Sequence, residues 1–316
     1  MLERSQAHAN PGAPLPRLVV FGEALTDFVR TGEDQWRSMP GGACWNVARV
    51  ASTLGVATAW GGSVSGDLFG DELLQRSAAA GLDLRFAQRV AQPPLLAIVH
   101  QLDPPQYFFV GSADLDFDEG RLPAGWREAC GHAHFGGISL VRQPLGARLA
   151  ALAESLAGQG VRISFDPNCR NLMGEDYPAL FERLAAISDL LKLSDEDLRQ
   201  IYPDRPVDPE LSRVRALMKP GALLLYTRGA SGMTLHVDGR GIDQPALAVQ
   251  VRDTVGAGDA CVGGFLASLL QHPQRDWAGH LRFAAATAAA ACTRAGAHAP
   301  DAAEVEALLA ADVGHA

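Results

Sequence analysis

The chain is poor in the signals that would place it at a membrane, on nucleic acid or in an oxidising compartment. No uninterrupted apolar stretch reaches the roughly 18 residues of a spanning helix. The first sixteen residues, rich in Pro, Ala and polar side chains, lack the basic start and apolar run of a secretory signal and read as a loose tail. Positive charge is in deficit: 27 Lys and Arg against 36 Asp and Glu give a formal net charge of -9, which excludes a broad footprint for nucleic acid or an anionic membrane surface. Cysteine is scarce. Cys44, Cys130, Cys169, Cys261 and Cys292 are scattered, with no C-x-x-C pair and no His at zinc-ligand spacing. An odd count in a long chain fits reduced thiols, so a soluble, cytoplasmic protein is expected.

Several catalytic signatures are missing as well. There is no G-x-x-x-x-G-K-[ST], which argues against a P-loop NTPase, and no H-E-x-x-H for a zinc hydrolase. Gly61 to Gly66 reads G-G-S-V-S-G and misses the serine-hydrolase elbow. Asp114, Asp116 and Asp118 hint at a calcium loop, but Gly120 falls one position late and no Glu closes it. Gly22-Glu23-Ala24 after the first apolar run is not followed by the glycine pattern of a dinucleotide fold.

What is present is an ordinary globular composition, 47% hydrophobic and 20% charged over 316 residues. That is enough for one large domain with a small appendage. Arg17 to Phe21, Val161 to Phe165, Leu190 to Leu193 and Leu223 to Thr227 are short apolar runs that read as buried strands. Between them, helical spacing covers Asn46 to Leu54, Gly70 to Ala80, Leu145 to Ala157, Tyr177 to Ile187 and Asp195 to Ile201. Gly55, Gly81 and Gly158 to Gly160 stand where left-handed C-terminal caps fall. The alternation predicts an α/β fold with a mostly parallel central sheet, whose carboxyl edge gathers ligands. Leu95 to Leu102 and Tyr107 to Val110, around Asp103-Pro104-Pro105, predict a hairpin that forms a small flap with Gln35 to Met39. The Ala-rich stretch Ala284 to Ala291 predicts a tightly packed buried helix.

The most informative segment is Asp253-Thr254-Val255-Gly256-Ala257-Gly258-Asp259, followed by the helical run Ala260 to Leu270. Small residues let a ligand approach the backbone, and successive N–H groups at a helix start hold phosphate or a developing anion. Asp259 in the first turn places a proton-accepting carboxylate beside that cradle. Phosphoryl transfer asks mainly for positioning and electrostatics, which a base plus an anion hole from residues 256–259 supplies.

This string resembles the second signature of the PfkB, or ribokinase-like, carbohydrate kinase family, D-T-x-G-A-G-D, at every position. The resemblance extends to Gly22-Glu23-x-Leu25-x-Asp27, to Gly41-Gly42-Ala43-x-x-Asn46-Val47-Ala48 and to Phe165-Asp166-Pro167-Asn168-x-Arg170, in family order. It implies a central sheet flanked by helices and a small β lid, here residues 28–40 and 95–115 of a kinase domain spanning 17–316, with 1–16 outside it. It also implies ATP with Mg2+ as phosphoryl donor, a small sugar as acceptor and a homodimer paired through the lid. On that reading Asp27, Gly41, Gly42 and Asn46 bind sugar hydroxyls, Asp114 lies near the substrate or lid, and Asp166, Asn168 and Arg170 lie close to the substrate and phosphates.

Lys192-Leu193-Ser194-Asp195-Glu196-Asp197 stands where many members carry N-x-x-E near the metal and phosphates. The departure leaves two readings for Ser194 and Asp197: a phosphate and metal site, or a helix capping box. Thr227-Arg228-Gly229-x-x-Gly232 is similar to the family's nucleotide-contact loop. Cys292-Thr293-Arg294-Ala295-Gly296-Ala297 is similar to its adenine-side and monovalent-cation loop, with Asp253 as the facing carboxylate and potassium as the implied ion. Cys44-Trp45 replaces small residues, so the indole is expected beside the sugar pocket. Gly22-Glu23-x-Leu25-x-Asp27 and Phe135-Gly136-Gly137-Ile138-Ser139-Leu140 look most like the fructokinase subgroup. A 2-keto-3-deoxygluconate kinase, a ribokinase or a nucleoside or aminoimidazole-riboside kinase would use the same base and turn. A catalytically silent binding protein on the same scaffold would not need Asp259.

Overall fold

The computed structural model describes residues 13–102, 105–170 and 172–313. Strands β1 (Leu18–Phe21), β4 (Thr58–Ser65), β5 (Ala87–Val90), β8 (His132–Gly136), β9 (Arg162–Asp166), β10 (Leu190–Ser194), β11 (Leu223–Thr227), β12 (Met233–Val237) and β13 (Arg240–Gln244) form one sheet. Its order is β13-β12-β11-β10-β9-β8-β1-β4-β5. All neighbours from β11 to β5 are parallel, and the two edge pairs that include β12 are antiparallel. The α/β fold with a mostly parallel sheet is as expected from the alternation of apolar runs and helices.

The reason lies in the side-chain period of two. Leu18 and Val20 join the hydrophobic cluster on one face of the sheet, together with residues of the helices Ala43–Thr53, Ala257–Gln271 and Trp277–Cys292. Val19 and Phe21 join the cluster on the other, with the helices Leu145–Gly158 and Tyr177–Ile187. Both faces are covered, so the central strands read as continuous apolar runs. The Ala-rich stretch lies within Trp277–Cys292, where small side chains allow close packing: a Cβ on Gly264 would lie 2.5 Å from Thr287 Oγ1.

A second, four-stranded sheet has the order β3-β2-β6-β7. It is built from β2 (Leu25–Arg30), β3 (Trp36–Gly41), β6 (Leu96–Leu102) and β7 (Pro105–Val110). Hairpin β2–β3 leaves the chain just after β1, and hairpin β6–β7 follows β5; parallel pairing of β2 with β6 joins them. Part of the expected turn at Asp103-Pro104-Pro105 falls outside the described residues, as do residues 1–12 of the expected tail. The strand order reverses between β1 and β8. The crevice beyond their carboxyl ends is the switch point where open α/β sheets hold ligands.

Candidate active site

Three chain segments converge at that crevice. The helix Ala257–Gln271 begins there with Gly256 as its N-cap, at φ +78°. Only glycine adopts this turn without cost, and space forbids anything larger: a Cβ at Gly256 would lie 2.8 Å from Ala297 Cβ. Among the described residues the amides of Gly256, Gly258 and Asp259 have no hydrogen-bond partner. Ala257 differs from expectation. Its N–H donates to Thr254 O at 3.2 Å, so it closes the turn rather than pointing outward.

Asp259 is buried at 7% exposure. Its Oδ2 accepts from Asn46 Nδ2 at 2.8 Å and its Oδ1 from Asn168 Nδ2 at 3.3 Å. Burial pushes its carboxyl up to about 7; the Asn46 bond opposes this, nearby Asp166 adds to it, and Arg170 and Lys192 pull it down. A carboxyl poised near neutrality suits a general base.

Asn46 comes from the helix Ala43–Thr53, whose N-cap Gly42 has φ +114°. A side chain at Gly42 would strike Glu23 O, and one at Gly41 would come within 2.9 Å of Asp27 Oδ2. Asp27 thus sits against Gly41, while Gly42 rests on the backbone of Glu23 and Ala24. Burial raises its carboxyl to about 6, and Arg170 lowers it. Arg170 is exposed, and its charge lowers the carboxyls of both Asp27 and Asp259.

Asp166 ends β9 and accepts from Asn168 N at 3.0 Å, an Asx turn that leaves Asn168 at φ +40° with its amide facing Asp259. Asp166 Oδ1 also accepts from Lys192 Nζ at 3.2 Å. Burial alone would depress the Lys192 ammonium, but Asp166 and Asp197 outweigh it and hold it above its ordinary range. A Cβ at Gly258 would lie 3.7 Å from Lys192 Nζ, so this cation lies beneath the anion turn.

Ser194 and Asp197 form a complete capping box. Asp197 Oδ2 accepts from Ser194 N, Ser194 Oγ and Lys192 Nζ, and Oδ1 from Cys169 N. The carboxylate is engaged by the chain itself. Among the described residues no group of three or more His, Cys, Asp or Glu is placed to hold a metal ion. Asp253 does meet the 292–297 loop: its Oδ1 accepts from Val255 N at 3.1 Å and its Oδ2 from Gly296 N at 2.7 Å. Thr227 ends β11 beside Ser194, and Gly229 and Gly232 occupy the loop that follows.

One expectation needs correction. Trp45 does not line the sugar pocket: it is fully buried in the helical layer, with Nε1 donating to Ser77 Oγ at 2.8 Å. Helical spacing from Asn46 turns the neighbouring side chain away from the crevice. Asp114 lies just past β7, where Arg142 binds both its oxygens at 2.6 and 3.0 Å and also Gly111 O. One residue was quoted in a motif without a role. Glu23 is buried, and its carboxylate accepts from Ala43 N, Ser139 N and Ser139 Oγ, tying the end of β1 to the helix that carries Asn46. Its place directly after a buried strand was the available signal.

The pfkB family of carbohydrate kinases matches residues 15–303. A fructokinase of Rhizobium leguminosarum bv. trifolii is 33% identical over 262 residues, covering 80% of this chain and 79% of that protein. The crystal structure of a fructokinase with bound ATP from Xylella fastidiosa superposes with a TM-score of 0.83 at 28% identity, over 95% of this chain and 100% of that one. That of an aminoimidazole riboside kinase from Salmonella enterica, complexed with aminoimidazole riboside and an ATP analog, gives 0.80 at 26%, over 92% and 99%. Matched by the family over nearly its whole length and sharing the fold of these kinases, this chain belongs to the pfkB carbohydrate kinase family and is an ATP-dependent sugar kinase.

Proposed function

We propose that the acceptor is fructose, phosphorylated at its 6-hydroxyl, with Asp259 as general base. The observation that carries the chemistry is the Asp259 carboxylate, held by Asn46 and Asn168 next to the unpartnered amides of Gly256, Gly258 and Asp259. The fructokinase relatives favour the sugar. The hydroxyl proton moves to Asp259 as the oxygen attacks the γ-phosphorus, the bond to the ADP oxygen breaks, and the amides and the Lys192 charge offset the negative charge on the transferring oxygens. Asp27, Gly41, Gly42 and Arg170 hold the sugar, and the loop 227–232 holds the nucleotide.

The described residues offer no dedicated cage for Mg2+, which typically binds through phosphate oxygens and keeps several waters. When bound, it would neutralise phosphate charge. Asp253 and the 292–297 loop are proposed to accommodate potassium. The small sheet is proposed as the lid that keeps water from the phosphoryl group. Trp36, Phe108 and Val110 are exposed on its strands, which supports self-association there. ADP release from Mg-ATP, measured across fructose, ribose, 2-keto-3-deoxygluconate, adenosine and aminoimidazole riboside with and without potassium, should single out fructose. Preference for another acceptor would replace the substrate assignment and leave the base untouched.

The same reading fixes a pH dependence. Asp259 accepts a proton only when ionised, so kcat/KM should rise with pH through about 7 and level off above it. The Asn46 bond favours the ionised form, so Asn46→Ala should move that limb to higher pH. A limb that stays in place would show that another group limits the rate.

A further inference from the structure

The buried Trp45 leaves one feature of the sequence without a purpose, and its neighbour Arg49 supplies one. The Arg49 guanidinium carbon lies 4.3 Å from the centre of the Trp45 ring. Its Nη1 donates to Ala297 O at 3.3 Å, and its Nε is buried with no hydrogen-bond partner among the described residues. Burial and the like charge of Arg76 lower its pKa to about 10. A cation kept this way, stacked on an indole with no ion pair to a carboxylate among the described residues, costs stability that an apolar side chain would not.

Its position explains the expense. Asn46 and Arg49 lie three residues apart on one helix and so share a face. Asn46 binds the Asp259 carboxylate, and Arg49 reaches the loop on the other flank of the same turn. Ala297 is the surface against which Gly256 rests, the two being so close that a Cβ on Gly256 would overlap Ala297. One residue earlier, Gly296 N is bound by Asp253, the first residue of the signature. The backing loop is therefore held at adjacent residues by the turn itself and by Arg49.

We infer that Arg49, braced on Trp45, is a positioning residue for the Gly256–Asp259 turn, acting through Ala297. It sets the donors that receive the phosphoryl group. It does not set the sugar end of its helix, where Glu23 holds Ala43 N independently at 3.1 Å. The inference rests on assigning the turn to the phosphoryl side, and the experiment separates the two.

Arg49→Met is expected to fold, to lose about tenfold in kcat and to raise the KM for ATP by a similar factor, with the sugar KM within about twofold of the parent. Misplacement of a donor set gives that split; general loosening would raise both KM values together. Unchanged kcat and ATP KM in the folded variant would overturn the inference, as would a sugar KM that moves as far as that for ATP. Should Arg49→Met fail to fold, Trp45→Phe, which keeps a ring but loses the Ser77 bond, is measured in the same way. It should show the same split at about threefold, and parent-like kinetics would overturn the inference. Asp259→Asn is run alongside. If it is inactive while the Arg49 variant behaves as the parent, only the Arg49 role fails; if it is fully active, the assignment of the turn fails first.

Discussion

Asp259→Asn is expected to lower turnover by about 10² or more, while KM for ATP and for sugar stays close to the parent's. Asparagine keeps the shape, and its amide oxygen can still accept from Asn46, so the geometry of the site is preserved and only the proton acceptor is removed. A stability effect of opposite sign should accompany the loss. The folded Asp259 carboxyl ionises near 7 instead of its ordinary 3.8. Its protonated form is therefore the one that folding favours, and the parent loses that contribution as pH rises from about 4 through about 7. Above pH 7 the asparagine variant should unfold at higher denaturant concentration than the parent, with the gap closing towards pH 4. An inactive but more stable variant would mark Asp259 as a group kept for chemistry; normal turnover would remove it from the mechanism.

Lys192→Met is expected to destabilise the fold by roughly 3–5 kcal/mol near pH 8, the usual cost of leaving buried charge without its partner. Lys192, Asp166 and Asp197 are all buried, and the ammonium lies 3.2 and 3.4 Å from the two carboxylates. Without it, two carboxylates face each other in a low dielectric and both bind protons more tightly. The deficit should therefore shrink as pH falls, because protonation relieves the repulsion. In the parent, Asp197 is held below its ordinary 3.8, so the stability it contributes is lost only at more acid pH, and between pH 8 and pH 5.5 the variant should recover relative to the parent. Urea denaturation at pH 5.5 and pH 8 checks this. A uniform loss at both values would mean that the lysine serves packing alone.

Local signals in the chain were legible where structure is decided locally. The strand Leu223–Thr227 and the helices Tyr177–Ile187 and Asp195–Ile201 lie where composition and spacing place them. Strand β4 did not declare itself because its centre is Gly61-Gly62, whose missing side chains make room for the Phe21 and Trp60 rings. A sheet position specified by a neighbour's bulk leaves no propensity behind. β8 hid behind two histidines, one of which, His134, is buried against Ser164 at 2.9 Å. The anion turn was readable from seven contiguous residues. The grip of Asn46 and Asn168 on Asp259 joins residues far apart in sequence, and only the family resemblance drew them together. Trp45 was misplaced because adjacency in sequence was taken for adjacency in space, which a helix does not grant.

The hairpin β6–β7 enters and leaves the body of the protein at one point. Ser112 N and Ala113 N both donate to Pro93 O, at 3.1 and 2.9 Å, so the two stems of the excursion are stapled together. What lies beyond that staple is free to change in length and composition without disturbing the register of the nine strands beneath it. Descent with modification can therefore rewrite the proposed lid while leaving the Asp259 turn untouched. A single nine-stranded body can in this way carry covers of different length without rebuilding the turn beneath them.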